Sequence, residues 1–243
     1  GNGQMDGVIY IAGAITRRHM EILKRYRIPV VVVGQMVSEF DCVYHDDFHA
    51  ARDMVEVLLE SGCRRPGMIF VTPKDKAAGE MRIRGAQAAL GERGFIPEAV
   101  PCVEAGFTLE DGYEKMEELL KKRPDIDGVF CATDSLAVGA VMYLKEAGKR
   151  IPQDIRICSV GNNQASDIID PRLSTAHYHY RTSGIEAARM LISKMRAGEE
   201  RPRRQLMLGY EVLRRESTET AADRHVLGGF GKRMQMPAGS ALR

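Results

Sequence analysis

The chain has 243 residues, 44% hydrophobic and 28% charged, an ordinary globular composition long enough for one large or two small domains. Its formal net charge of +2, without a long basic run, gives no electrostatic footprint for nucleic acid or an anionic membrane surface. No apolar run approaches the roughly 18 residues a membrane span needs, and five cysteines (Cys42, Cys63, Cys102, Cys131, Cys158), odd in number and free of a C-x-x-C pair, fit a reduced, cytoplasmic chain.

Taken in chain order, GNGQMDGVIYIAGAIT enters a strand at Val8 to Ile11 almost at once, as though cut from a longer chain. Further apolar runs predict strands at Val30 to Val33, Met68 to Val71, Val129 to Cys131 and Ile155 to Val160. Between them, helical periodicity covers residues near 17–26, 48–61, 79–93, 109–122 and 134–147. Continuous Val/Ile runs, rather than in-out alternation, describe strands covered on both faces by helices. The fold class is therefore α/β, a parallel sheet with right-handed crossovers.

Helix ends are chemically legible. Thr108 precedes LEDGYEKMEELLKK, with acids in the first turn and two lysines at the end, which suits the helix dipole. Gly62, Gly94 and Gly148 follow helical runs, where a left-handed residue is expected. After Pro171 the pattern changes. RLSTAHYHY reads as extended, SGIEAARMLISKM as a helix with Ile185, Ala188, Leu191, Ile192 and Met195 on one apolar face, and RQLMLGYEVLRREST as extended again. This either finishes one sheet or carries the chain between two subdomains. Residues 218–243, rich in glycine and without periodicity, read as a disordered tail.

In open parallel sheets ligands bind outside the carboxyl ends of the strands. Those ends present Thr72, Pro73, Lys74, Asp75 and Lys76, then Arg82 and Arg84; Thr133 and Asp134; and Gly161, Asn162 and Asn163. VYHDDFH and Phe107 precede two of the helices. Such donors, acceptors and an aromatic face suit a small polar molecule such as a sugar, whose hydroxyls pair with planar polar groups while its CH face stacks on a ring. The alternative is that these residues are polar only because loops are. His45 and His49 are spaced for zinc on a helix, but Asp47 reads as the N-cap and puts His45 off that helix. No G-x-S-x-G elbow, Walker loop or strand-linked G-x-G-x-x-G occurs, and no metal, cofactor or catalytic site is assigned.

Several segments together resemble the effector-binding core of the lactose-repressor/purine-repressor family of bacterial transcription regulators. They are DGVIYIAG, IPVVVVG, YHDDFHAARDMVEVLLESGCRRPGMIFV, MRIRGAQAAL, GFTLEDGYEKMEELL, PDIDGVFCATDSLAVGAVMYLKEAGKRIPQDIRICSVGN and DPRLSTAHYHY, in family order. The resemblance implies a periplasmic-binding-protein-like fold of two α/β lobes joined by three crossings, near Asp46–Asp47, His177–His179 and Gly209–Glu211. One lobe would comprise residues 1–46 and 179–209, lacking the family's first strand and helix; the other, residues 48–177 and 211–217.

The resemblance also implies a cytoplasmic, non-enzymatic repressor core, a homodimer that reaches operator DNA through an N-terminal helix-turn-helix not present in this sequence. An exported sugar-binding protein of a transport system, which shares the two-lobed fold, is the alternative. By position, the effector-binding residues would be Asp46, Lys76, Arg82, Phe107, Thr133, Asp134, Asn162 and Tyr178. Many members follow the strand's last glycine with Tyr-Asp or Phe-Asp, an acid that accepts ligand hydrogen bonds. Here Gly161 is followed by Asn162, and losing an acid relieves repulsion of an anion. With Lys76 and Arg82 nearby, a sugar phosphate joins the sugars as a candidate effector, and the SVGN ending resembles that of trehalose-type repressors. Arg82→Ala is expected to abolish effector binding with the fold intact.

Overall fold

A computed structural model describes residues 5–11, 13–25, 28–197 and 202–219. They form two sheets. The first has four parallel strands in the order β1 (Val8–Ile11), β2 (Val30–Val33), β3 (Asp41–His45) and β9 (Gln205–Leu208). The second has six: β10 (Tyr210–Leu213), β8 (Ser174–Tyr178), β7 (Arg156–Gly161), β6 (Gly128–Cys131), β4 (Pro66–Val71) and β5 (Cys102–Ala105). Only β10 is antiparallel, against β8.

Both faces of the second sheet are covered. Helices α2 (Asp47–Glu60) and α3 (Arg82–Glu92) lie on one side, and α4 (Leu109–Lys122) and α5 (Asp134–Glu146) on the other. Every residue of β4 and β6 is buried, which explains their unbroken apolar sequences. Each fully buried side chain such as Phe70, Phe130 or Ile157 contributes about 1.5–3 kcal/mol. Helices α4 and α5 pack unusually close because Gly139 has no side chain: a Cβ there would sit 2.0 Å from the Leu109 carbonyl oxygen. The α4 start is a full capping box. Thr108 accepts from the Asp111 amide, and the Asp111 carboxylate accepts from the Thr108 amide. Gly62, Gly94 and Gly148 take positive φ past their helices, as expected.

The first sheet is thinner. Helix α1 (Arg17–Arg25) and α7 (Tyr180–Ala197) pack on it, with small cores around Val32 and Cys42 on one face and Val31, Val43, Ala187 and Met190 on the other. The chain passes between the sheets at single residues. Asp46 lies between β3 and α2, His179 between β8 and α7, and Gly209 between β9 and β10.

Several expectations change. Strands β3 and β5 lay outside the predicted runs, because charged or polar residues interrupt them. Asp46, not Asp47, caps α2, accepting from the His49 amide, so Asp47 begins the helix. The face of α7 that meets the sheet carries Ser183, Ala187 and Met190, whereas Ile185, Ile192 and Met195 are exposed. Thr218 and Glu219 are buried, so packed chain runs past the predicted start of the tail; residues 220–243 lie outside the described residues.

Candidate functional site

A cleft of about 380 Å³ opens between the sheets at the carboxyl ends of their strands. From the first lobe come Ile11, Gly13, Val33, Gly34 and His45, and from the second Asp47, Asp75, Arg82, Phe107, Thr133, Asp134, Gly161 and Asn163. Tyr178 and Tyr180 flank the crossing at His179 and line the same space.

Arg82 is placed by an unusual start to its helix. A single π-helical turn, Lys76–Met81, is capped by Asp75, whose Oδ1 accepts from the Ala77 and Ala78 amides at 2.9 Å. The α-helix then begins at Arg82 and turns its side chain inward, 7% exposed. Its Nε and Nη2 donate to Asp47 Oδ1 at 2.8 and 2.7 Å, and Nη1 donates to the Ala132 carbonyl at 2.5 Å. The Tyr178 hydroxyl donates to the same Asp47 oxygen at 2.8 Å. A guanidinium so held is an oriented donor, since unpairing it in this buried setting is costly.

Asp134, at the first turn of α5, also accepts three internal hydrogen bonds. Its Oδ1 accepts from Ser159 Oγ at 2.6 Å and Thr175 Oγ1 at 2.8 Å, and its Oδ2 from the Asn163 amide at 2.6 Å. It fastens β7, β8 and the loop after β7 into one floor. Gly161 takes φ +142, and a Cβ there would lie 3.0 Å from Asp134 Oδ2 and 3.4 Å from the Tyr180 hydroxyl. Glycine meets both the conformational and the spatial demand.

Aromatic surfaces face this floor. Phe107 is 48% exposed and Tyr180 53% exposed, so both leave ring surface open to the cleft. His45 stacks flat on Tyr178, with centroids 4.2 Å apart and planes 4° apart, and meets Tyr180 edge-on. Burial pushes the His45 imidazole down to about 4, so it is neutral at pH 7; its Nε2 pairs with Ser183 Oγ at 2.9 Å. Burial likewise raises the Tyr178 phenol, which stays protonated.

Of the residues named from the sequence, Arg82, Phe107, Thr133, Asp134 and Tyr178 line the cleft together. Thr133 spends its hydroxyl capping α5. Asp46 and Lys76 instead line an adjoining, more apolar pocket of about 350 Å³, with Met36, Phe48, Met81 and Met207. There Asp46 pairs with His49 at 2.8 Å and the Lys76 ammonium with Glu80. The two pockets share Gly34, His45, Asp47 and Ala77, so the cleft continues into the second. Asn162 turns away. With φ 57 it points behind β7, where its amide meets His177 Nδ1 at 2.9 Å and its Oδ1 accepts from Arg215 Nη2 at 2.9 Å. The cleft position belongs to Asn163, one residue on.

Sequence reasoning also missed Gln35, Asp47, Asp75 and Tyr180. Gln35, 3% exposed, donates from the first lobe to Asp75 Oδ1 of the second at 3.2 Å and to the Gly13 carbonyl. Asp75 stood in a loop already singled out, and Tyr180 repeats the period-2 spacing from Tyr178. A larger hollow of about 810 Å³ by α2, lined by Arg52, Glu56, Glu92, Arg93 and Arg214 among others, is a closed network of ion pairs.

Comparison with known proteins places this geometry. Residues 55–218 match the family described as periplasmic binding protein-like domain. Catabolite control protein A of Priestia megaterium is 28% identical over 194 residues, 79% of this chain and 58% of that protein. The sucrose operon repressor of Staphylococcus xylosus is 28% identical over 184 residues, 76% of this chain and 56% of that protein. This chain thus spans less than two thirds of the length of those relatives. Among solved structures, the transcriptional regulator CelR in complex with cellobiose superposes with a TM-score of 0.82 at 26% identity, covering 87% of this chain and 65% of that one. The transcription regulator CcpA of Lactococcus lactis superposes with a TM-score of 0.81 at 27% identity, covering 88% and 78%. The chain belongs to the periplasmic binding protein-like domain family, in the form that makes up the effector-binding core of lactose-repressor/purine-repressor regulators.

Proposed function

We propose that this chain is the ligand-sensing core of a sugar-responsive, DNA-binding transcription repressor, cytoplasmic, homodimeric and without enzymatic activity of its own. The observation that carries the reading is the cleft itself, where oriented polar groups from both lobes face two exposed rings, Phe107 and Tyr180. A sugar has hydroxyls for the first and a CH face for the second. Arg82, Phe107, Thr133, Asp134, Asn163 and Tyr178 would contact the ligand, Asp46 and Lys76 its continuation into the adjoining pocket. A cellobiose complex and a ribose complex among the similar solved structures support a sugar.

Ligand touching both lobes favours a closed cleft over an open one, and only that difference in affinity can move the rest of a regulator. The moved part would be a DNA-reading head outside this chain. The names of the relatives are those of regulators, which supports this reading over a transport protein. The test is a thermal-shift titration of the chain against sucrose, trehalose, cellobiose and ribose. A ligand of the folded state raises the melting temperature by an amount that grows with concentration. A flat response to all four, confirmed by calorimetry, would remove the sugar-sensor reading.

A further inference from the structure

The cleft carries a charge pattern that decides between a sugar and its phosphate. Among the described lining residues are three buried carboxylates, Asp47, Asp75 and Asp134, and a single cation, Arg82. The other cation nearby, Lys76, lines the adjoining pocket and is paired with Glu80. His45 adds no positive charge at neutral pH. The anion site that the asparagines after Gly161 suggested is therefore not furnished with free cations.

The carboxylates also differ in what they leave open. Asp134 uses both oxygens internally. Asp47 takes all its bonds, from Arg82 and Tyr178, on Oδ1. Asp75 likewise takes the Ala77, Ala78 and Gln35 donors on Oδ1. Asp47 and Asp75 are 5% and 3% exposed, yet each keeps an Oδ2 with no hydrogen bond among the described residues. Asp75 Oδ2 faces Gly13, 3.6 Å from where a Cβ would lie. Both oxygens open on the cleft rather than being sealed in the protein, so a hydroxyl that enters it can donate to them. Arg82 has three of its five N–H groups engaged and supplies the complementary donors.

We infer that the cleft is built for an uncharged polyol whose hydroxyls donate to Asp47 Oδ2 and Asp75 Oδ2, and that the same two carboxylates exclude the phosphorylated form. This rests on the sugar-sensor reading and sharpens it. A phosphate dianion offers no proton to these oxygens and brings like charge beside them. Asp75 is thereby a specificity-determining residue as well as a helix cap.

The experiment measures calorimetric affinities of sucrose, trehalose and cellobiose, each paired with its 6-phosphate, for the chain and for Asp75→Asn. Asparagine keeps an Oδ1 for capping while removing the charge, and circular dichroism verifies the fold. The expected result is that at least one neutral sugar binds and its phosphate binds at least about tenfold more weakly, a gap that Asp75→Asn narrows by about tenfold. Tighter binding of a 6-phosphate to the unaltered chain, or an unchanged ratio in the variant, overturns the charge inference and leaves the sugar reading standing. Binding of neither form overturns both. Should Asp75→Asn not fold, salt dependence in the unaltered chain decides: weak phosphosugar binding must strengthen as salt screens the carboxylates, and weakening with salt overturns the inference.

Discussion

The two lobes solve the same folding problem to different depths. The second sheet has six strands with β4 and β6 wholly buried and two extensive cores, one on each face. The first has four, and β1 at its edge alternates half-buried and exposed residues, ending on Ile11 at 80% exposure. The polar constellation follows the same division. Asp47, Asp75, Arg82 and Asp134 all stand on the second lobe, whereas the first contributes Gly34, Gln35 and His45. The more deeply packed lobe carries the oriented polar groups, and the thinner one faces them. Rigid placement is where hydrogen-bond specificity comes from, because an oriented donor has already lost its freedom before the ligand arrives.

The widest expected contrast is in native-state hydrogen exchange. Amides of β6 and β7 should open only with global unfolding, on the order of 5–15 kcal/mol, and those of β1 through local opening near zero. Equal protection in β1 and β7 would dissolve the comparison. Next is Arg82→Ala. The sequence reading expected a folded, non-binding variant, but the substitution leaves Asp47 buried without its cation and should cost about 3–5 kcal/mol in urea unfolding. A loss below about 1 kcal/mol would mean that solvent reaches Asp47 and that the second lobe is looser than described.

The pH dependence probes the seam. His45 has an ordinary value of 6.5 and titrates near 4 when folded, so the unfolded chain takes up the proton first as pH falls. The contribution is full above about pH 6.5 and is lost on descending to pH 4, about 3 kcal/mol in all. The stability gap between the chain and His45→Gln, read from urea unfolding, should stay constant above about pH 6.5 and shrink by about 3 kcal/mol on descending to pH 4; a gap that does not change over that range would show that His45 is solvated. The smallest effect is Thr108→Ala, expected to lose about 1 kcal/mol of stability through its capping box on α4, with an unchanged exchange pattern in the first lobe.

Most of the frame was legible from residues alone, since continuous Val/Ile runs and helix-end chemistry need no tertiary context. β3 was not, because Asp41 and His45 are buried polar ends whose satisfaction comes from distant groups: Asp41 accepts from the Arg204 amide and His45 meets Ser183. Helix α7 misled for a related reason. It carries two apolar stripes, and only the neighbouring sheet decides that Ala187 and Met190 face inward while Ile185 and Ile192 do not. At the site, one backbone angle separated Asn162 from Asn163, and no composition signal reports φ 57. Asp75 looked like one polar loop residue among several; what the sequence does not report is that the Ala77 and Ala78 amides both take its Oδ1.

The single-residue crossings have a mechanical consequence. Asp46, His179 and Gly209 lie side by side, tied by the Asp46 amide to the Leu208 carbonyl, by the β3–β9 pairing and by Tyr178 opposite Tyr210. A joint of one residue has two soft torsions and no slack. Three of them in a row have the geometry of a door pin, on which a swing would need only torsions while a slide would have to break the strand pairing beside it. A small angle at that pin becomes a displacement proportional to the lever arm, so the part of the first lobe farthest from Gly209 travels most, without any strand in either sheet changing register.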